Sequence, residues 1–462
     1  MARHVIILAA GEGKRMKSDL PKVAHLAAGR PLIDHVIRSA AGLQPTSTVV
    51  VVGHGADEVR TILPEGVIDA LQEDQLGTGH ATQIGLEALG AVDPEDIVIV
   101  LYGDTPLLTP QLLHQLADLE GKESARLISA HLDDPGGYGR VTRDGQGHVT
   151  GIVEHRDCTP DQLELSEINA GIYAVRAGRL VHALKQVTND NAQGEYYLTD
   201  VVGILVAEGD KLTAVTASPE EVMGINSQDQ LAEARKELKR RVNHELMESG
   251  VEIIDPDHTY IDETVTVEPG ARIYPGTYLE GSTSVGAGSQ VGPDVFVVDS
   301  TIGENATVWY AVLRSSEVGD ECVVGPYASL RPGSVLLKGS KVGTFVETKN
   351  TTLGEGAKAP HQSYLGDATV GPRANIGAGV ITVNYDGVKK SKTEIGEDAF
   401  VGSDTMLVAP VRIGDRATTG AGSVITKDVS DDALAVERSD QKEIPGYSLR
   451  REARKSAEDA ED

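Results

Sequence analysis

Two periodicities divide the chain. From residue 1 to 226, short apolar runs alternate with longer stretches whose apolar residues recur every three or four positions. The runs "HVIILAA", "STVVVV", "DIVIVLYGD", "ARLISAHL" and "NAGIYAV" read as strands, because continuous apolar segments of this length suit a sheet covered on both faces. "PLIDHVIRSAAGL", "GTGHATQIGLEALG" and "TPQLLHQLADLE" read as helices between them. This order predicts an α/β layer fold with a mainly parallel sheet, which binds ligands beyond the carboxyl ends of its strands. Residues 228 to 250 predict one connecting helix: Leu231, Leu238, Val242 and Leu246 share a face, and Gly250 ends it.

From Val267 the period changes to six. Val267, Ile273, Leu279, Val285, Val291 and Val297 keep it; after a slip it resumes at Ile302 and Val308. It returns at Val318, Val324, Leu330, Leu336 and Val342, and again at Ile395, Val401, Leu407 and Ile413. Glycine often follows the apolar residue, as in Val285-Gly286 and Val401-Gly402. Six residues fit neither a helix nor a hairpin meander; they are the hexapeptide signature of a parallel β-helix. Residues 383 to 394, "VNYDGVKKSKTE", break the lattice and predict a loop ejected from a coil. The end beyond Ile425 also departs from it, and "SAEDAED" predicts a disordered acidic tail. The expected domains are therefore 1–227, a linker helix over 228–250, and 251–462.

Composition narrows the chemistry. Aromatic residues make up only 4% of the 462 residues against 51 glycines, as a narrow solenoid core requires. The formal net charge of −28 makes nucleic acid and anionic membrane poor partners, so an anionic substrate needs local cations. Cys158 and Cys322 are too few for a disulfide framework, read as structural thiols and fit a reducing, cytoplasmic setting. The apolar run Val5 to Ala10 is too short for a signal peptide or a membrane span.

The loop after the first strand, "AAGEGKRM", starts a G-x-G but fits neither the dinucleotide fingerprint nor the P-loop. Its glycine turn, with Arg15 and Lys22, still makes a cradle for phosphate. Gln72, Gly77 and Thr78 offer neutral donors and acceptors suited to a base. Asp104 sits just past a strand, and with Asn226 it supplies the hard oxygens that suit Mg²⁺. Taken singly, each of these residues has a plain structural reading as a turn, cap or solvated charge.

The ordered set LAAGEGKRM, PK, QEDQLGTGHA, YGDTPL, GYGR, GIVEH, NAG and NAQGEYYLTD is followed in the lattice by LRPG, GTFVETKN, YLGD, NIGAG and NYDG. In these motifs the chain closely resembles the bacterial bifunctional N-acetylglucosamine-1-phosphate uridyltransferase / glucosamine-1-phosphate N-acetyltransferase family. The resemblance implies a Rossmann-like nucleotidyltransferase domain followed by a left-handed parallel β-helix, a homotrimer with acetyl sites between subunits, and Mg²⁺ as cofactor. It implies UTP, N-acetylglucosamine 1-phosphate, glucosamine 1-phosphate and acetyl-CoA as substrates. Leu8, Ala9, Ala10, Gly11, Gln72, Gly77, Thr78, Tyr102, Gly103 and Asp104 would hold the uridine nucleotide, and Arg15 and Lys22 would neutralise its phosphates. Gly139, Glu154, Asn169 and Asn226 would hold the sugar phosphate, and Asp104 and Asn226 the metal.

In the solenoid, His361 matches the family's catalytic base, with Glu347 expected to orient it. Arg331, Lys349, Tyr364 and Asn375 match sugar-phosphate positions, and the charge of the ejected loop adds Lys390. Ala378, Asn384, Tyr385, Ser403, Ala421 and Arg438 match acetyl-CoA contacts, and Lys389, Lys390 and Lys392 could reach a neighbour's CoA phosphates. Two positions depart from the family. Lys14 stands where threonine is usual and adds charge near the phosphates. Gln362 replaces an aliphatic residue beside the base and puts its fine positioning in question. A monofunctional nucleotidyltransferase with an assembly-only solenoid would not need Arg331, Lys349, His361 and Tyr364 together. A non-catalytic scaffold would not need Arg15, Lys22 and Asp104.

Overall fold

A computed structural model describes residues 1–121 and 123–458; the last residues of the acidic tail, 459–462, lie outside the described residues. The chain forms two units. One comprises Met1–Glu245 with Ile261–Thr264, the other Leu246–Tyr260 with the rest of the chain from Val265.

The first unit is built on a nine-stranded sheet. Its main path runs Lys211–Thr216, Glu123–His131, Glu167–Arg176, Ile97–Tyr102, Arg3–Ala9, Ser47–Val52, Ile68–Leu71. Alternate residues of Arg3–Ala9 enter two cores: Val5, Ile7 and Ala9 pack on one face, Ile6 and Leu8 on the other. Helices Leu32–Ala41, Thr78–Leu89 and Pro110–Ala117 form where the apolar spacing places them. The sheet departs from a parallel one at Glu167–Arg176, which runs antiparallel to both neighbours. The hairpin Arg140–Arg143 and Val149–Val153, the edge strands Ile68–Leu71 and Lys211–Thr216, and helices Ala177–Leu184 and Asp200–Ala207 were not apparent from the apolar runs. Chain order reverses beside Arg3–Ala9: Ser47–Val52 pairs on one side of it and Ile97–Tyr102 on the other, which makes a switch-point crevice.

The stretch read as a linker is one helix, Gln228–Glu248. Leu231, Ala234 and Leu238 pack against Met16, Ala27, Leu32, Leu107 and Ile225 of the first unit. Through Glu245 this helix is therefore part of that unit. Gly250, at φ +100, follows its end, and its N–H donates to the Met247 carbonyl at 3.1 Å.

The second unit is a parallel β-helix with walls of eleven, ten and nine short strands. Every aliphatic residue of the six-residue lattice is buried. Equivalent residues stack coil on coil, as in Val285–Ile302–Val318–Leu336 and Leu279–Val297–Leu313–Leu330. The slip after Val297 is a shortened wall, which the register absorbs by pairing Val285 with Ile302. The solenoid continues past Ile425, since Leu434–Ala435 still pairs with Thr418–Thr419. Part of the expected disordered tail is helical: Tyr447–Glu458 includes its first residues. Strands Ile381–Val383 and Thr393–Ile395 bracket the ejected loop, which folds back on itself through a Tyr385–Lys390 bridge. Among the described residues no helix is long and apolar enough to cross a membrane.

Candidate active sites

At the switch point Leu8 pairs with Tyr102, so residues 9–11 and 103–104 leave the sheet side by side. They open a cleft of about 390 Å³. Leu8, Ala9, Ala10, Gly11, Lys22, Gln72, Gly77, Thr78, Tyr102, Asp104 and Asn226 line it. Gly103 is buried behind it and donates its N–H to the Leu8 carbonyl at 2.9 Å. Gln72 is held by its own loop: its Nε2 donates to the Gly77 carbonyl at 3.2 Å. That loop is stitched to the segment Glu195–Thr199. Gly79 N–H donates to the Tyr196 carbonyl at 2.8 Å, and Leu198 N–H to Thr78 Oγ1 at 3.1 Å. Gln75 and Glu195 also line the cleft. Both belong to quoted motifs, yet residue type alone gave no reason to single them out.

The centre of the cleft is a cation held by oxygens. The Lys22 ammonium pairs with Asp104 and donates to Asn226 Oδ1 at 3.0 Å. Ile225 N–H donates to the Asp104 carbonyl at 2.8 Å, which keeps Asp104 and Asn226 abreast. The first turn of the long helix secures them: Gln230 Oε1 accepts from Asn226 N–H at 2.7 Å, and Gln228 Nε2 donates to the Met16 carbonyl at 3.2 Å. Asn226 Nδ2 donates to the Gly224 carbonyl at 3.3 Å, which leaves Oδ1 to face the cation. No group of three or more His, Cys, Asp or Glu side chains among the described residues could hold a metal ion. Asp104 and Asn226 nonetheless suit a divalent ion that completes its shell with phosphate and water. The lysine ammonium on these two oxygens shows that the pair accepts a cation.

Arg15 does not line the cleft. It is exposed on the turn Lys14–Met16. Its charge and that of Asp104 both act on the Tyr138 phenol, whose pKa burial raises. Lys14 is turned out to solvent and paired with Glu12 at 2.9 Å, so its charge is already balanced.

Gly139, Glu154 and Asn169 lie outside the cleft lining, and of the three the Glu154 carboxylate acts on Tyr102. Asn169 N–H donates to the Gly139 carbonyl at 2.9 Å, and its Nδ2 donates to the Tyr173 hydroxyl at 2.6 Å. Glu154 Oε1 accepts from the Thr199 hydroxyl at 3.0 Å. Burial raises the Glu154 pKa despite that bond, and the charges of Asp157, Asp200 and Glu195 add to the shift. Tyr102 is shifted up as well, by burial and then by the Glu154 and Asp104 carboxylates. Its ring lies where a side chain at Gly171 would stand. Gly171 sits at φ +77 where the register of Glu167–Arg176 shifts, so a side chain there would be strained and would also displace Tyr102.

In the solenoid, His361 ends strand Lys358–His361 at an exposed corner. The corner continues below it, coil by coil, through Ala378, Ser403 and Ala421: Asp404 N–H donates to the Ala378 carbonyl at 2.7 Å and Gly422 N–H to the Ser403 carbonyl at 2.8 Å. Arg438 Nη1 donates to the Ala421 carbonyl at 3.0 Å. Asn375 belongs to the wall before the corner, between Lys358 and Phe400. Lys349 and Tyr364 belong to the wall after it, where Glu347 pairs with Tyr364 and Lys349 with Gly366, and Arg331 follows that wall's strand Ala328–Leu330. Glu347 does not hold His361; its carboxylate accepts from Arg331 at 2.7 Å. Gln362 keeps its place through rung bonds, N–H to the Thr344 carbonyl at 2.8 Å and carbonyl from Gly379 N–H at 2.9 Å.

The ejected loop brings Lys390 against Lys349. The neighbouring Lys390 ammonium, and after it Arg331, lower the Lys349 pKa. Three cations thus gather with two carboxylates, Glu347 on Arg331 and Asp367 near both lysines, and the excess of positive charge, in a chain of net charge −28, suits a phosphate. Asn384 donates through Nδ2 to Asp367 Oδ2 at 2.6 Å. Tyr385 is exposed on the loop, its hydroxyl donating to the Gly387 carbonyl at 2.6 Å. Cys322 is buried and Cys158 half-buried; both are free thiols.

Fold and clefts define a class: a nucleoside-triphosphate transferase fold followed by a bacterial transferase solenoid. Residues 5–187 match the MobA-like NTP transferase domain, and residues 392–427 match the bacterial transferase hexapeptide, six repeats. The chain is 48% identical to the Bifunctional protein GlmU of Streptomyces avermitilis, over 97% of this chain and 94% of that one. It is 47% identical to that of Caldanaerobacter subterraneus subsp. tengcongensis, over 96% of each, and 45% identical to that of Halalkalibacterium halodurans, over 95% and 97%. The chain belongs to the Bifunctional protein GlmU family.

Proposed function

We propose that the chain makes UDP-N-acetylglucosamine in two steps, acetylating glucosamine 1-phosphate in the solenoid and transferring a uridylyl group to the product in the front unit. The observation that carries this is the presence of two chemically different sites in one chain. One is an oxygen-held cation in a switch-point cleft. The other is an exposed imidazole at a solenoid corner whose next wall carries a cluster of cations.

In acetyl transfer the glucosamine amine attacks the thioester carbon of acetyl-CoA. The C–N bond forms, the C–S bond breaks, and the amine proton must leave. His361 takes that proton, a task for which an imidazole is suited near neutral pH. Arg331, Lys349 and Lys390 hold the sugar phosphate, with Tyr364 on the same wall and Asn375 on the wall before the corner. Ala378, Ser403, Ala421 and Arg438 run down the corner below His361, an edge along which the acetyl-CoA arm extends. Asn384 and Tyr385 meet that arm from the loop. No acyl-cysteine is needed, so Cys158 and Cys322 remain structural.

In uridylyl transfer a phosphate oxygen of N-acetylglucosamine 1-phosphate attacks the α-phosphorus of UTP, and the bond to the β-phosphate breaks to release pyrophosphate. The nucleophile is already an anion, so positioning and charge neutralisation take the place of a general base. Gln72, Gly77 and Thr78 hold the base, Gly11 with Lys22 holds the phosphates, and Arg15, on the turn Lys14–Met16 outside the lining, adds its charge. Glu154, Asn169 and Gly139 hold the sugar. Asp104 and Asn226 would hold Mg²⁺, which when bound neutralises charge on the transferred phosphate.

The partners are these small molecules and further copies of the chain as a homotrimer in the cytoplasm. Tyr327 and Phe345 support assembly. They stack 5.6 Å apart and are 58% and 63% exposed in the single chain, unusual for large aromatics. Incubating the chain with glucosamine 1-phosphate, acetyl-CoA, UTP and Mg²⁺ tests the function. UDP-N-acetylglucosamine and pyrophosphate are the expected products, and their absence would refute it.

A further inference from the structure

The loop that leaves the solenoid between Val383 and Thr393 is tied back to the coil by one carboxylate. Asp367, in the coil above, accepts from Asn350 Nδ2 through Oδ1 at 2.6 Å and from Asn384 Nδ2 through Oδ2 at 2.6 Å. Both oxygens are therefore engaged, and the group is fixed against rotation. A side chain at Gly366 would stand 2.5 Å from the Tyr364 hydroxyl and 2.8 Å from Asn384 Nδ2, so the glycine leaves room for both. Burial alone would raise the Asp367 pKa, but the two amides and then the Lys390 and Lys349 ammoniums outweigh it and hold the pKa low. Asp367 is thus an ionised carboxylate, which accepts hydrogen bonds and cannot donate them.

That property settles which way the Asn384 amide faces. Its NH₂ must point at Asp367, so its carbonyl oxygen points away and is offered as an acceptor. From this geometry we infer that Asp367 is a positioning residue for acetyl-CoA: it fixes Asn384 so that Oδ1 receives an amide N–H of the pantetheine arm. The inference rests on the proposed function, in which Asn384 meets acetyl-CoA. An acyl carrier with no amide N–H at this point would lose the contact. Selection for an amide-bearing thioester is thereby built into the fold.

Replacing the carboxylate by an amide inverts the arrangement. In Asp367→Asn, Oδ1 still accepts from Asn350, and the new NH₂ faces Asn384. Two NH₂ groups repel, so Asn384 turns over and offers a donor where an acceptor is needed. The exchanged pair Asp367→Asn/Asn384→Asp repairs this, because Asn at 367 donates to the carboxylate at 384, whose other oxygen again accepts from the ligand.

The experiment measures steady-state acetyl transfer for the full chain, Asp367→Asn and the exchanged pair, with the thermal unfolding of the rear unit as the control for folding. Loss of one oriented hydrogen bond in favour of a mismatched donor should raise the KM for acetyl-CoA about tenfold in Asp367→Asn. The KM for glucosamine 1-phosphate should not rise, because the carboxylate removed from beside Lys349 and Lys390 competes with phosphate for them. The exchanged pair should recover most of the loss. An unchanged KM for acetyl-CoA, equal rises for both substrates, or an exchanged pair as impaired as Asp367→Asn would each overturn the inference while leaving the proposed function standing. Absence of acetyl transfer by the unmodified chain would overturn both.

Discussion

The two units gather their chemistry by opposite routes. In the front unit the Lys22 ammonium meets an oxygen 204 residues away, on Asn226, and another 82 away, on Asp104. In the solenoid, Arg331 meets Glu347 at a separation of 16 residues, and Asp367 meets Asn384 at 17. One site is a product of topology, assembled where strand order reverses. The other is a product of coil pitch, since any residue stands above the one a turn later. The front site therefore depends on every crossover being correct, whereas the rear site depends on a few neighbouring coils.

This contrast can be broken or sharpened by substitution. The largest effect is expected at the proposed proton acceptor and the proposed metal ligand. His361→Ala should lower acetyl transfer roughly 10²–10⁴-fold, the usual weight of a positioned acid or base, and leave uridylyl transfer intact. Asp104→Ala should do the reverse, and separate assays of the two half-reactions would show both. Next comes the solenoid core. Leu313 is fully buried between Val297 and Leu330. Leu313→Ala should cost about 2–5 kcal/mol in the rear unit. Thermal unfolding should show that loss while uridylyl transfer at 25 °C is unchanged.

Glu154 gives a smaller effect whose sign depends on pH. Its folded pKa lies above the ordinary value of 4.5 because of burial and the Asp157, Asp200 and Glu195 charges. Below 4.5 both folded and unfolded forms carry the proton. Between 4.5 and the raised value the folded form binds more protons, so stability falls as pH rises through that window, and above it the full cost remains. Glu154→Gln should therefore raise the unfolding temperature of the front unit at pH 7.5 by about 3 °C and give no gain at pH 4. It should also weaken sugar-phosphate binding. The smallest effect is Lys14→Thr. Because Lys14 is exposed and paired with Glu12, the KM for UTP should change less than about twofold.

Legibility in the sequence followed the same divide. The solenoid was readable because each lattice residue reports its own burial, and Val285, Val324 and Leu407 needed no distant partner to be placed. Past Ile425 the six-residue spacing stops, as the sequence shows, yet Leu434 and Ala435 still form a rung, which spacing does not reveal. In the front unit the long apolar strands were readable, but the antiparallel course of Glu167–Arg176 was not, since a two-face-buried strand looks the same in either direction. Lys22, Asp104 and Asn226 could be named from motifs, and the structure brings them together. The pairing of Glu347 with Arg331 rather than His361 was not legible, because register decides it: Glu347 lies on the wall after the corner that carries His361. The contact of Asp367 with Asn384 is hidden in the sequence for a related reason: it comes from what the next coil presents to the carboxylate.

The most direct test of two independent sites in one chain is complementation between purified His361→Ala and Asp104→Ala proteins. Each is supplied with glucosamine 1-phosphate, acetyl-CoA, UTP and Mg²⁺, alone and mixed. Neither alone should yield more than a trace of UDP-N-acetylglucosamine, and the mixture should make it freely, because the acetylated intermediate formed by one protein is consumed by the other. A mixture that makes no product, or a single variant that makes it at the unmodified rate, would contradict the assignment of separate chemistry to the two units.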